Sequence, residues 1–305
     1  MSKYALGIDV GGTKVAIATV GEDLSVHQKQ EVLTHADNGE KLWSNIEEVI
    51  SEFLKTEAGS LLGIGVASAG PLDIPQGTLS PVNIPIWRNF PIISRLKQMS
   101  GGSKVALHGD ALALAHAEHK IGAGRGLENM LGMVVSTGVG GGLILGGQLI
   151  PGESGNVSFF GHHTINHSGR LCACGRIGCV EAYASGPSMV KQAIERGWKS
   201  NNNDFISLAE DARQGSALAL EVIDEGAHAL AVGIINVAAI NDLELIVIGG
   251  GVSHAGDVYW EPLLRHISAE LSHFSFLSGL RVKKAELLRD SGILGAALGV
   301  LKPAQ

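Results

Sequence analysis

The chain has 305 residues, a net charge of −7, and 45% apolar against 17% charged residues. That length and composition support a sizeable buried core with room for two domains, and they exclude an extended disordered chain. No Lys/Arg block gives a footprint for nucleic acid or a membrane surface, and no apolar run approaches the ~18 residues that span a bilayer.

Met1 to Tyr4 lead straight into an apolar strand without a hydrophobic leader, so the expected setting is cytoplasmic. The 42 Gly against 9 Pro fall in short clusters between apolar runs, as tight turns near a ligand do. The first strand, Ala5-Leu6-Gly7-Ile8, enters Asp9-Val10-Gly11-Gly12-Thr13-Lys14 and leaves as the strand Val15 to Ala18. Trp43, Ile46, Ile50 and Phe53 then repeat at helical spacing. Leu62 to Val66 reads as a buried strand ending in the turn Ala69-Gly70-Pro71. Val105 to Leu107 is a short strand, and Asp110 opens an Ala/Leu-rich helix through Glu118.

Mid-chain, Leu131 to Val135 enters Ser136-Thr137-Gly138-Val139-Gly140-Gly141-Gly142 and leaves through Leu143-Ile144-Leu145. Two strand–turn–strand units of one kind predict a duplicated architecture with a cleft between its halves. Ala217 to Ile240 is a long apolar helix, followed by the strand Leu245 to Ile248 and the turn Gly249-Gly250-Gly251. Gly292 to Leu301 closes the chain as a Gly/Ala-rich helix suited to close packing.

Glycine turns let backbone N–H groups approach phosphate oxygens without Cβ clashes. Asp9 stands where a carboxylate holds Mg²⁺ through water, with Thr13 and Lys14 in reach of phosphate; the plainer alternative is a tight hairpin with Asp in its turn. A dinucleotide fold requires a helix after the glycines, and both turns lead into strands; the P-loop spacing is absent as well. The three Cys, all within 172–179, form one odd-numbered cluster that reads as metal binding in a reducing compartment.

Asp9 to Lys14, Ser136 to Gly142, and Gly161-His162 with the Cys cluster together resemble the ROK family of sugar kinases and repressors, in order and spacing along essentially the whole chain. The resemblance implies an α/β fold of the actin-like ATPase (hexokinase) type, with ATP and sugar in a cleft between two lobes. The expected division is 1–117, joined by the C-terminal helix 290–305, against 118–289. It implies Mg²⁺ with ATP as cofactor, a homodimer, and a structural Zn²⁺ held by His162, Cys172, Cys174 and Cys179. One imidazole and three thiolates fill a tetrahedral shell. His163 and His167 are nearby alternative ligands, read first as ordinary loop residues, and three buried free thiols are the alternative to a metal site.

The phosphate contacts implied are Asp9, Gly11, Gly12, Thr13 and Lys14 in the first turn and Thr137, Gly138 and Gly140 in the second, with Gly250 and Gly251 near the adenosine. Asp110 occupies the position of the family's catalytic base, although Asp at a helix start also serves as an N-cap. Gly70, Asn83, His162 and Glu181 match segments that line the sugar site. Two positions depart. Gly109 replaces an Asn that contacts sugar hydroxyls, with His108 beside it as a candidate compensating group. Phe159 replaces a Glu three residues before the zinc His. In the family that Glu holds hydroxyls near C1 and C2, and the N-acetylmannosamine kinases replace it with His; a Phe accepts no hydrogen bond, so the resemblance points to a sugar altered at C2.

The resulting expectation is an ATP-dependent carbohydrate kinase acting on the 6-hydroxyl of a hexose or N-acetylhexosamine, N-acetylmannosamine first. Glucose, an unusual amino sugar or a cyclitol are the alternative substrates, and a non-catalytic sugar sensor is the alternative class. A repressor needs a DNA-binding domain ahead of the first motif, and eight residues precede Asp9.

Overall fold

The computed structural model describes residues 2–157 and 159–301. The chain divides into two compact units. The first holds the described residues up to 117, residues 150–157, and the chain from 289 on; the second holds residues 118–149 and 158–288.

In the first unit, β1 (Lys3–Val10), β2 (Lys14–Gly21), β3 (Val26–Leu33), β4 (Ser60–Ser68) and β7 (Val105–Gly109) form one sheet in the order β3-β2-β1-β4-β7. Strands β1, β2 and β3 are an antiparallel meander, whereas β1, β4 and β7 run parallel. Burial follows the pairing. β2 is buried along nearly its whole length, while the polar sequence of edge strand β3 faces solvent.

Helix α1 (Gly39–Thr56) starts where the Asn38 side chain accepts the Lys41 N–H at 2.9 Å, and it buries Leu42, Trp43, Ile46, Val49, Ile50 and Phe53. The short hairpin β5 (Leu72–Asp73) and β6 (Thr78–Leu79) precedes α2 (Ile92–Met99). Helix α3 (Asp110–Ile121) leaves β7 without a loop.

The second unit repeats the plan. β8 (Met130–Val135), β9 (Val139–Leu145), β10 (Gln148–Ile150), β11 (Leu245–Gly249) and β12 (Arg281–Lys284) are ordered β10-β9-β8-β11-β12. Again the first two strands are an antiparallel hairpin, and β8, β11 and β12 run parallel. The duplication read from the two glycine turns is therefore present strand for strand. Its helices are α4 (Glu181–Ala184), α5 (Gly186–Glu195), α6 (Phe205–Arg213), α7 (Ala217–Asn241) and α8 (Asp257–Leu271). α7 is apolar nearly all round and is buried as such.

The last helix, α9 (Ser291–Leu298), returns to the first sheet. It lies so close to β1 and β4 that a Cβ on Gly7 or Gly65 would run into the carbonyl oxygens of Ile293 or Ala296. Small residues on both partners make that approach, as the Gly/Ala-rich tail predicted. One boundary differs from the sequence reading. Gly140, Gly141 and Gly142 belong to strand β9, paired with Val134, Met133 and Gly132, so the second turn is confined to residues 136–138.

Candidate functional site

Parallel strands in an α/β sheet present the residues at their carboxyl ends to ligands. In the first unit these ends are level: Asp9 registers with Ala67, and Ser68 with Gly109. Asp9, the turn after Ser68 and Asp110 thus share one edge. Burial pushes the Asp9 carboxyl up to about 7, and the charge of Asp110 pushes it the same way against the pull of Lys14 and Lys29. Burial also holds Asp110 above the ordinary aspartate range, although the Ala111 N–H donates to its Oδ1 at 2.7 Å. Asp110 is not acting as an ordinary N-cap, which would accept from two or three residues on.

The first glycine turn is pinned from behind. Thr34 donates its N–H to the Thr13 carbonyl at 3.0 Å and its hydroxyl to the Gly12 carbonyl at 2.7 Å. A Cβ on Gly12 would come 2.8 Å from Asn83 Cβ, and the Gly70 carbonyl accepts the Val82 N–H at 3.3 Å. Gly12, Gly70 and Asn83, distant in sequence, therefore share a neighbourhood, with a cis peptide between Gly70 and Pro71. Lys14 is the first residue of β2, and its Nζ pairs with Glu31 at 2.5 Å. His108 lies against the end of α9, where a Cβ on Gly299 would meet its Nε2 at 2.6 Å, and burial lowers its pKa.

In the second unit the two remaining glycine turns touch. Gly250 has φ +92°, and a Cβ there would sit 2.5 Å from the Val135 carbonyl oxygen. A glycine at this position meets both demands. Gly251 lies beside the Ser136 hydroxyl. Next to these turns opens a cavity of about 830 Å³ whose lining includes Ser136, Thr137, Gly186, Pro187, Phe205 and Gly251, and whose surface is mostly apolar. The Gly186 N–H donates to the Ser136 carbonyl at 2.9 Å, which ties the cavity wall to the turn.

Sequence reading had not identified this cavity. Its signals were present: Ser185 caps α5 ahead of Gly186-Pro187, Pro187, Val190 and Ile194 recur at helical spacing, and Asp204 caps α6 ahead of Phe205-Ile206.

Glu181, at the start of α4, accepts the Val139 N–H on Oε2 at 2.8 Å, and its Oε1 stands 4.0 Å from His162 Nδ1. It thereby connects the second glycine turn to the His/Cys loop. In that loop Cys172 Sγ is 3.7 Å from His162 Nδ1, Cys174 Sγ is 3.7 Å from Cys179 Sγ, and all four ligand atoms lie within 4.8 Å of one another. A tetrahedral ion with ~2.3 Å bonds to sulfur sets sulfurs about 3.8 Å apart, so these residues fit one metal ion. Arg176 supports the set by donating to the His162 carbonyl at 2.8 Å and to Thr164 Oγ1 at 3.1 Å. Burial raises the Cys172 and Cys179 thiols, while the Arg176 N–H lowers Cys174.

A family model, that of the ROK family, matches residues 5–302. The chain belongs to the ROK family. A glucokinase of Thermotoga maritima is 33% identical over 96% of this chain and 95% of its own. An N-acetylmannosamine kinase of Shigella boydii is 33% identical over 96% and 97%. Among solved structures, a ROK family glucokinase from Streptomyces griseus in complex with glucose and AMPPNP superposes with a TM-score of 0.82 at 29% identity, covering 96% of this chain and 98% of that one. The α/β fold of this ROK chain is accordingly the actin-like ATPase fold of the hexokinase type, as its sequence predicted. No helix among the described residues is long and apolar enough to cross a membrane.

Proposed function

We propose that this protein transfers the γ-phosphoryl group of ATP to the 6-hydroxyl of a hexose or N-acetylhexosamine, with N-acetylmannosamine the first candidate. That the chain is an ATP-dependent carbohydrate kinase follows from its family and its curated relatives. The finer reading rests above all on one observation: Asp110 is a carboxyl raised by burial, placed at the same sheet edge as Asp9.

A general base works best when its pKa lies near the operating pH, and burial moves Asp110 in that direction. Asp110 takes the proton of the sugar 6-hydroxyl as that oxygen bonds to the γ-phosphorus, and the bond from phosphorus to the β–γ bridging oxygen breaks to release ADP. Asp9 holds the nucleotide's metal through water. Mg²⁺, when bound with ATP, supplies the positive charge that neutralises the phosphate oxygens.

Backbone N–H groups of Gly12, Thr13, Thr137, Gly138 and Gly251 are the proposed phosphate donors, and Gly250 sets the turn that presents its neighbours. The Gly11 N–H donates to the Lys14 carbonyl at 3.0 Å, so Gly11 contributes by closing the first turn. The cavity beside Thr137 and Gly251 receives the nucleoside. Gly140, inside β9, acts by leaving room on the strand. Lys14 reaches phosphate by exchanging its partner Glu31.

Asn83, with the neighbouring Gly70 backbone, and Glu181 and His162 are the proposed sugar contacts. The His162 and three-Cys cluster binds zinc with every position filled by protein, so its role is to shape the loop that carries His162 and leads to Glu181. Phe159 is half-exposed and stacks on His162 at 5.9 Å. An aromatic face there suits an acylamino group better than a hydroxyl. Homodimer formation and a cytoplasmic setting complete the reading.

The test is ADP release over a panel of glucose, mannose, N-acetylmannosamine, N-acetylglucosamine, glucosamine and kanosamine, with Asp110→Asn alongside. Turnover of one sugar, lowered about 10²- to 10⁴-fold in kcat by the substitution, is the expected result. Silence across the panel with ATP still bound would instead point to an unusual polyol substrate or to a sensor that no longer transfers phosphate.

A further inference from the structure

One short helix holds the second glycine turn at both ends. At the start of α4, Glu181 Oε2 accepts the Val139 N–H at 2.8 Å. Just past the end of α4, the Gly186 N–H donates to the Ser136 carbonyl at 2.9 Å. Between these attachments the Ser136 N–H donates to the Gly138 carbonyl at 2.9 Å, which closes the turn on itself. Gly138 admits the carboxylate, since a Cβ there would come 2.8 Å from Glu181 Oε2.

Of the two attachments, the one at Val139 is made by a side chain. Val139 opens β9 and pairs with Val135, the last residue of β8. Holding its N–H fixes where β9 begins, and with it the direction in which residues 137 and 138 present their own N–H groups. A hydrogen bond to a carboxylate is about twice as strong as one between neutral groups. Without it, a turn containing glycine samples many backbone shapes, and a ligand binds only the fraction that is competent. The first turn has the same kind of support from another residue, with Thr34 bonded to the Gly12 and Thr13 carbonyls.

We infer that Glu181 is a positioning residue for the nucleotide, in addition to the sugar contact proposed above. Its Oε2 holds the turn that presents Thr137 and Gly138 to phosphate, while Oε1 stands 4.0 Å from His162 Nδ1 on the side of the His/Cys loop. The inference rests on the phosphate-turn reading of residues 136–138. A change at this one side chain therefore reaches the affinity for both substrates.

The experiment titrates AMPPNP with Mg²⁺ into the full-length protein without sugar, by calorimetry, for wild type, Glu181→Ala and Glu181→Gln. The alanine variant should bind AMPPNP about 10- to 100-fold more weakly, the loss expected for a hydrogen bond to a charged group. Glutamine keeps an oxygen that can accept the Val139 N–H, so its Kd should stay within about threefold of wild type. The KM for whichever sugar turns over should rise in both variants, because neither offers a carboxylate to a hydroxyl. Rescue confined to the nucleotide side separates positioning from a general loss of structure. An alanine variant with wild-type affinity for AMPPNP, or a glutamine variant as weak as alanine, would overturn the inference and leave the kinase reading in place. A wild-type protein that binds no AMPPNP would sink the phosphate-turn reading itself.

Discussion

Asp9→Asn is the substitution with the most quantitative expectation. The folded protein holds the Asp9 carboxyl at about 7 against an ordinary 3.8, chiefly through burial and next through the charge of Asp110. A raised carboxyl pKa means that the folded state keeps its proton while the unfolded chain has released it. Below about pH 4 both states are protonated and Asp9 costs nothing. Between about pH 4 and 7 unfolding releases a proton, so stability falls as pH rises. Above 7 both states are ionised and the full cost remains. A difference of roughly three pKa units at ~1.4 kcal/mol each puts that cost near 4 kcal/mol.

Asparagine cannot ionise, so the variant escapes this decline. Urea denaturation of both proteins without nucleotide, in steps from pH 4.5 to 8.5, should show the variant gaining on the wild type by several kcal/mol and then levelling off. The same variant should lose most of its kinase activity, because it no longer offers a charge to a nucleotide's metal. Stability curves that run parallel across the whole window would refute the buried-carboxylate argument.

The His/Cys loop should carry one zinc per chain by metal analysis of the protein as purified. Cys179→Ser should release it and lower the thermal midpoint, because a structural site contributes its binding energy to folding. Gly65→Ala is expected to destabilise by at least about 2 kcal/mol, since the new methyl overlaps the Ala296 carbonyl and neither backbone can retreat; urea midpoints measure it.

Much of this was legible before the structure. Short continuous apolar runs flanking Asp9 to Lys14 and Ser136 to Gly142 identify two strand–turn–strand units, and four apolar residues from Trp43 to Phe53 identify α1 by helical spacing. The Cys cluster announced a metal site because thiolates have few other reasons to crowd together. Less legible was whatever depends on long-range register. Gly140 to Gly142 read as turn because glycine is a turn residue, yet pairing with β8 holds them in β9. Lys14 read as a phosphate ligand, and its partner Glu31 appears only when β3 folds back beside β2. The apolar cavity beside Thr137 and Gly251 draws its walls from residues 136–137, 186–206 and 251–254, which only the fold brings together.

The two sheets also show which part of the function the fold decides and which part the residues decide. Equivalent strands end at equivalent places: β1 at Val10 and β8 at Val135, β4 at Ser68 and β11 at Gly249, β7 at Gly109 and β12 at Lys284. The topology therefore offers the same edge twice. In the first unit that edge carries two carboxyl groups, with Asp9 raised first by burial and then by the charge of Asp110, and Lys14 and Lys29 beside it are tied to Glu31 and Asp290. In the second it carries backbone N–H groups and an apolar cavity, and the lysine at the end of β12 lies over the Trp260 ring. An edge rich in carboxylates handles protons and cations, and an edge of amides beside apolar walls handles phosphate and a base. The repeated topology sets where the edge lies, and the residues at the strand ends set its chemistry.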